Sequence, residues 1–192
     1  MKNMIKTLTL TAIVAFVTLS FTNRDIEKKE IKIENSQIVW KGYKVTGSHE
    51  GTILLKSGSL SFQENVLIGG EFEIDMTTII TTDLDGEYKG KLEGHLKSDD
   101  FFGVENFPSA KLVFTTVTPI SENSYNVTGD LTIKGTTNPV TFEISIDGNK
   151  ATTSLKIDRT KYDIKYGSAS FFDDLKDKAI YDEFDLVSDL QF

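Results

Sequence analysis

The 192-residue sequence reads as an all-β protein of one domain with a single short helical interruption, and three observations carry that reading. Apolar and polar residues alternate with a period of two through most of the chain after residue 30. Gly, Asn, Asp and Ser fall between the alternating runs at the spacing of short strands and tight turns, as in a barrel or sandwich of about eight strands. The chain has no Cys, which excludes disulfides, thiolate metal sites and Cys nucleophiles and leaves packing and hydrogen bonding to hold the fold.

Residues 1–22 stand apart. Lys2 and Lys6 precede an apolar run from Leu8 to Phe21, with no acidic residue before Asp25, the pattern of a secretory signal. The run is shorter than the roughly 20 apolar residues of a spanning helix and is diluted by Thr9, Thr11 and Thr18. We therefore expect cleavage, a mature domain over residues 23–192, a periplasmic or secreted location, and no stable membrane insertion afterwards. Asp25 to Glu30 reads as a charged spacer.

Three strand candidates follow: Ile38 with Trp40, Thr52 to Lys56, and Leu60 with Phe62, set apart by Gly42, Gly47 and Ser57-Gly58. Phe72, Ile74 and Met76 then share one face, with Glu71, Glu73 and Asp75 on the other. From Tyr88 the spacing changes, and Tyr88, Leu92 and Leu96 recur every four residues as on a helix, weakened by Gly90 and Gly94. Ser98 before Asp99-Asp100 looks like the cap of a short second turn. Alternation returns in Tyr125, Val127, Gly129, Leu131 and Ile133, then, past a turn at Gly135 to Pro139, in Val140, Phe142, Ile144 and Ile146. Asp147-Gly148-Asn149 closes a hairpin onto Ala151, Thr153, Leu155 and Ile157. Phe184, Leu186, Leu190 and Phe192 end the chain as a strand.

Composition narrows the function. With 21 basic and 29 acidic side chains the formal charge is −8, and there is no basic stripe to meet a nucleic acid backbone. Outward positions are Glu, Asp, Lys and Thr, which excludes the apolar band of a transmembrane barrel. The inward set is rich in rings, and those rings either fill the core or line a ligand cavity; both readings stay open on the residues alone. Gly86 to Leu92 falls one residue short of a phosphate loop, and the loop from Asp83 has Gly94 where calcium needs a bidentate Glu. His49 and His95 lie on different elements, and no nucleophile elbow occurs, so no metal, cofactor or catalytic residue is assigned. Gly94 to Ala110 departs from sheet periodicity and sets Phe101, Phe102 and Phe107 beside His95 and Lys97, as a plug across one barrel end or as a gate to its interior.

Three blocks, His95 to Phe102 continuing to Phe107-Pro108-Ser109-Ala110, Gly129 to Thr137, and Ile157-Asp158-Arg159-Thr160 before Tyr162, together resemble the YceI-like family of bacterial periplasmic polyisoprenoid-binding proteins, along about residues 31 to 192. The resemblance implies an eight-stranded antiparallel, lipocalin-like barrel with one or two short helices covering an end. It also implies a non-enzymatic role, export, and a long-chain isoprenoid, quinone-like or polyprenyl, held in the interior; a homodimer is consistent with it. Two departures stand out: Glu93-Gly94 precede His95 where the family more often has an Arg-Asp pair, and residues 38–51 look like a variant branch. On this basis the barrel wall is expected from Trp40, Phe62, Phe72, Phe114 and Tyr125, then Leu131, Phe142, Leu155 and Phe184. Phe101, Phe102 and Phe107 are expected at an end, with His95 and Arg159 touching the polar head. Two other readings remain: a solid-cored extracellular interaction domain, and an enzyme on a hydrophobic substrate using His95, Asp99 and Arg159.

Overall fold

The computed structural model describes residues 25–192; the export signal read in residues 1–22 lies outside them. Its strands are β1 (Ile26–Glu30), β2 (Gln37–Lys44), β3 (Gly47–Gln63), β4 (Val66–Thr81), β5 (Ser109–Pro119), β6 (Ser124–Ile133), β7 (Thr136–Asp147), β8 (Lys150–Asp158) and β9 (Ile180–Gln191), with one α-helix among the described residues, α1 (Gly86–Lys97). Pairing is antiparallel throughout and runs β3, β2, β9, β8, β7, β6, β5, β4 and back to β3. Eight strands therefore close a barrel, which leaves few main-chain groups on an open edge.

The ninth strand is the segment read as a charged spacer. β1 pairs with the second half of β3, Ile26 opposite Gln63 and Glu30 opposite Ser59, while β2 pairs with the first half. The chain then crosses to β9, where the Lys32 N–H donates to the Gln191 carbonyl at 2.7 Å. Most of β1 is exposed, so it adds main-chain bonds with little apolar burial, and alternation gives no sign of it.

Eight barrel strands match the expected number through two compensating differences. β3 runs unbroken through Ser57-Gly58, because Gly58 is a packing position and not a turn: a Cβ there would lie 2.8 Å from Cδ1 of Phe72. Conversely β5 had no clear signal, since a bulge between Phe114 and Thr116 moves the inward phase from Ala110, Leu112 and Phe114 to Val117. The turn after β6 is also tighter than Gly135 to Pro139. Lys134 and Gly135 alone, with φ of 50° and 74°, join the strands, and Pro139 lies within β7. Pro is tolerated there because β7 pairs with β8 only over Ile144–Asp147, which leaves the Pro139 N–H position outside that ladder.

The two ends differ. At one, where the chain ends at Phe192, Leu60, Leu67, Val127 and Ala151 are fully buried, and the rings of Phe62 and Phe192 pack with centroids 5.6 Å apart. At the other lie α1, the turns after it, and the segment between β8 and β9. α1 carries Lys91–Glu87 and Lys89–Glu93 pairs on its surface, buries Leu96, and is tied to β4 by the Thr81 N–H, which donates to Glu93 at 2.9 Å. Ser98 ends this helix and caps no second one: its hydroxyl turns back to donate to the His95 carbonyl at 2.7 Å. No helix among the described residues is long and apolar enough to cross a membrane.

Gly51 in β3 has no room for a side chain, since a Cβ would lie 1.8 Å from the Ile80 carbonyl oxygen and 2.7 Å from Cζ2 of Trp40. The indole of Trp40 donates to that same carbonyl at 3.1 Å. We predict that Gly51→Ala costs about 3 kcal/mol, read as a lowered urea midpoint, since overpacking here meets main chain. Gly90→Ala on the open face of α1 should instead gain about 0.5–1 kcal/mol. Equal midpoints for Gly51→Ala and the parent protein would contradict the packing described.

Candidate functional site

Inside the barrel is an apolar cavity of about 170 Å³, room for on the order of ten water-sized groups. Period-two alternation in each strand puts one face toward it, and the wall is hydrocarbon almost throughout. Trp40, Phe72, Phe114, Phe142 and Phe184 bring rings from five strands, and Leu131 and Leu155 fill between them. The rings touch one another: Phe72 and Phe114 are 5.6 Å apart between centroids, Phe114 and Phe142 5.7 Å and edge-on. Leu96, Phe101 and Phe102 close the helical end, the last two edge-on at 5.0 Å, and Phe102 also meets Phe184 at 6.4 Å.

The cavity reaches the surface through the side wall. Of its lining residues only Tyr181 and Glu183 are exposed, Tyr181 at 54%. They sit in an irregularity between β2 and β9, where Gly42 faces Phe184 and Lys44 faces Ile180, so that Tyr43 alone spans Tyr181, Asp182 and Glu183. Such a bulge interrupts the ladder and splays the wall. Tyr43 borders the gap and donates from its hydroxyl to Asp185 at 2.6 Å.

Arg159 is 2% exposed and lies under this portal. Nε donates to the Tyr181 carbonyl at 3.0 Å, Nη1 to that of Ile164 at 2.7 Å and Nη2 to that of Ile180 at 3.0 Å. Asp182 stands 3.7 Å away, and the guanidinium lies 5.6 Å from the Phe101 ring. Burial lowers its pKa while Asp182 and Asp158 oppose the shift. Each nitrogen thus already serves the main chain, and the side chain fixes the start of β9. His95, in the last turn of α1, stands outside the lining, its ring 4.4 Å from Tyr166 and 5.4 Å from Phe101. Its Nε2 is buried without a hydrogen-bond partner. Burial holds the imidazole below its ordinary pKa, opposed by Asp100 and aided by Arg159. Tyr162, in the turn that begins with Arg159, is buried, and loss of water pushes its phenol up to about 12.

Ten of the fourteen residues expected from the sequence line the cavity; Phe62, Phe107, Tyr125 and His95 do not. Phe62 belongs to the solid end with Phe192, and Tyr125 is buried opposite Pro119 and Ile144. Phe107 packs outside, over the turn glycine Gly135, where a Cβ would be 3.0 Å from its ring. Tyr43, Tyr181 and Glu183 were not foreseen, because a portal made by the register of two strands distant in sequence has no local pattern. The two histidines are apart, His49 bonding Asp83 at 2.9 Å, and no group of three or more metal-ligating side chains gathers among the described residues.

Compared with known proteins, residues 17–192 match the family described as the YceI-like domain. A UPF0312 protein of Pseudomonas putida is 46% identical over 54 residues, 28% of this chain and 28% of its own length. One of Staphylococcus aureus is 37% identical over 103 residues, 48% of this chain and 57% of that protein. The chain thus aligns with between about a quarter and somewhat over half of the length of these curated relatives. Among solved structures, Burkholderia cenocepacia BcnA is similar with a TM-score of 0.66 and 22% identity, over 83% of this chain and 98% of that one. A polyisoprenoid binding domain from Saccharophagus degradans, implicated in plant cell wall breakdown, is similar with a TM-score of 0.59 and 12% identity, over 84% and 95%. At these identities the likeness is one of fold.

Two outcomes are expected from the buried groups. Arg159→Leu leaves three carbonyls without their donor and Asp182 without its ion-pair partner, and should cost about 3–5 kcal/mol in urea denaturation; a loss below about 1 kcal/mol would show that the guanidinium does not hold this segment. His95 binds its proton less readily in the folded than in the unfolded chain, whose pKa is near 6.5. Stability is therefore full above that pH and falls as pH drops through and below it. Thermal melts between about pH 7.5 and 5.5 should show this fall in the parent protein and a flatter profile in His95→Asn, because carboxylates titrate lower. Parallel profiles would remove the assignment to His95.

Proposed function

The chain belongs to the YceI-like family, and on that premise we propose that it is a binding protein that carries or stores a long-chain isoprenoid lipid, quinone-like or polyprenyl, inside its barrel. The observation that carries the reading is the apolar cavity inside the barrel, lined by rings and aliphatic side chains and bordered by the exposed Tyr181. Such a surface suits a hydrocarbon and offers little to a polar substrate. The polyisoprenoid binding domain with the similar fold supports the isoprenoid class. The role is taken as non-enzymatic, since of the two charged side chains in the lining Arg159 is already bonded to main-chain carbonyls and Glu183 stands exposed at the portal. Export through the signal in residues 1–22, action in the periplasm or outside the cell, and assembly as a homodimer belong to the same proposal.

Size and energy constrain the ligand. A forty-carbon tail at about 0.8 kcal/mol per methylene has a gross burial term on the order of 30 kcal/mol, above the roughly 20 at which noncovalent affinity saturates. Ordering of the tail and widening of the barrel must offset much of it. A cavity of about 170 Å³ is too small for such a tail, so part of the lipid must displace the Phe101–Phe102 plug or lie in the portal. Affinity should be high and selectivity for tail length weak, because one methylene is discriminated poorly.

Native mass spectrometry with organic extraction, on mature protein purified from its own compartment without detergent, tests the proposal. A copurifying isoprenoid is expected. A clean apo mass, with no uptake of added polyprenyl lipid, would return the rings to core packing and favour the interaction-domain reading. Phe142→Glu puts a carboxylate at a 6% exposed wall position and should abolish uptake or folding; a variant folded by circular dichroism and still loaded with lipid would refute the inward role of Phe142.

A further inference from the structure

Beside the portal the surface changes character. Tyr166, Phe171 and Phe172, in the segment between β8 and β9, are exposed by about half, as are Tyr181 at the start of β9 and Val45 in the β2–β3 turn. Among the described phenylalanines only Phe171 and Phe172 are exposed. The segment that carries them is held in place. Fully buried Ser168 accepts at its carbonyl from the Phe171 and Phe172 N–H groups at 3.2 and 3.0 Å. The Ile180 N–H donates to the Gly167 carbonyl at 2.8 Å, the Val45 N–H to that of Ala179 at 3.2 Å, and Arg159 grips Ile164 from within. The main chain that carries these exposed rings is thus held in place, and it leads on to the portal residue Tyr181.

Charge points the same way. Residues 159–182 hold five basic and five acidic side chains and have no net charge, in a chain whose formal charge is −8. With Arg159 buried and Glu183 exposed at the portal the edge is slightly acidic, far less so than the chain as a whole, and Lys161, Lys165, Lys176 and Lys178 lie among its carboxylates. Lys165 places its ammonium 5.2 Å from the centroid of the Phe171 ring, an apolar stem with a polar tip of the kind that reaches back to head groups.

We propose that this aromatic edge docks on the surface of a lipid bilayer, so that the gap at Tyr181 and Glu183 faces the reservoir of its ligand. The inference rests on the lipid-binding reading above and adds the partner surface to it. Tyr and Phe with flanking Lys suit the boundary between head groups and acyl chains. A tail that passes directly from bilayer to cavity never exposes its methylenes to water, which is the free-energy barrier to transfer through solvent.

The test is flotation of protein lacking residues 1–22, which keeps every described element, with vesicles of phosphatidylcholine plus a minor share of phosphatidylglycerol and no isoprenoid. The parent protein should float with the vesicles. Phe171→Ser combined with Phe172→Ser should lower the bound fraction about tenfold, while Ile120→Ser, equally exposed at the opposite end of the barrel, should leave it unchanged. The double variant should still take up polyprenyl lipid from detergent micelles, since the cavity is untouched. Absence of flotation, equal flotation of parent and double variant, or an equal loss in Ile120→Ser would overturn the proposal. So would loss of micellar uptake in the double variant, or a dimer without vesicles that the double variant abolishes, which would assign the edge to a second copy. Parent protein that floats but takes up no lipid would uphold docking and overturn the carrier reading, so the two fail separately.

Discussion

Everything in this molecule follows from how aromatic rings lie against bare main chain once the sheet has closed. Closure sends one face of every strand toward a common axis, where so many rings could either fill the core or line a cavity. The rings are drawn to the wall. Trp40 lies over Gly51, Phe72 over Gly58 and Phe114 over Gly70, where an added Cβ would come within 2.7, 2.8 and 2.8 Å of the respective rings. A ring seated on a glycine covers the strand and vacates the axis. The hollow interior is thus produced by the same large side chains that would otherwise have filled it.

This pairing explains what could and could not be read from the amino-acid order. β6, β7 and β8, with their strict alternation and the Gly148-Asn149 turn, were legible because their geometry is local. Gly58 was misread as punctuation, since a glycine that receives a ring from a neighbouring strand looks like one that makes a turn. β1 was hidden by its charge and β5 by its bulge. The cavity wall was largely legible, because inward phase within a strand is enough to place Phe142 or Leu155. The portal was not, because it exists only through the offset between β2 and β9.

Arg159 shows how a residue can be singled out for one reason and serve another. A lone Arg near an apolar interior suggests a contact for an anionic head group. In the structure its nitrogens are bonded to the carbonyls of Tyr181, Ile164 and Ile180, with Asp182 near enough to offset its charge. A buried guanidinium met by carbonyls has its desolvation compensated locally and becomes a fixed post. The segment around it can then carry exposed rings without collapsing onto the barrel, and the portal keeps its shape although the ladder is broken there.

β1 covers an edge that closure of the barrel leaves open. The ring of eight strands can close without it, since β2 and β4 both hold β3 independently. Without β1, the main chain of Ser59 to Gln63 would present an open edge that a strand from another molecule could extend. The strand that covers it carries Glu27, Lys28, Lys29 and Glu30, a sequence poor at templating further growth. β1 is thus a polar latch, and it turns a barrel that could seed intermolecular pairing into an inert particle.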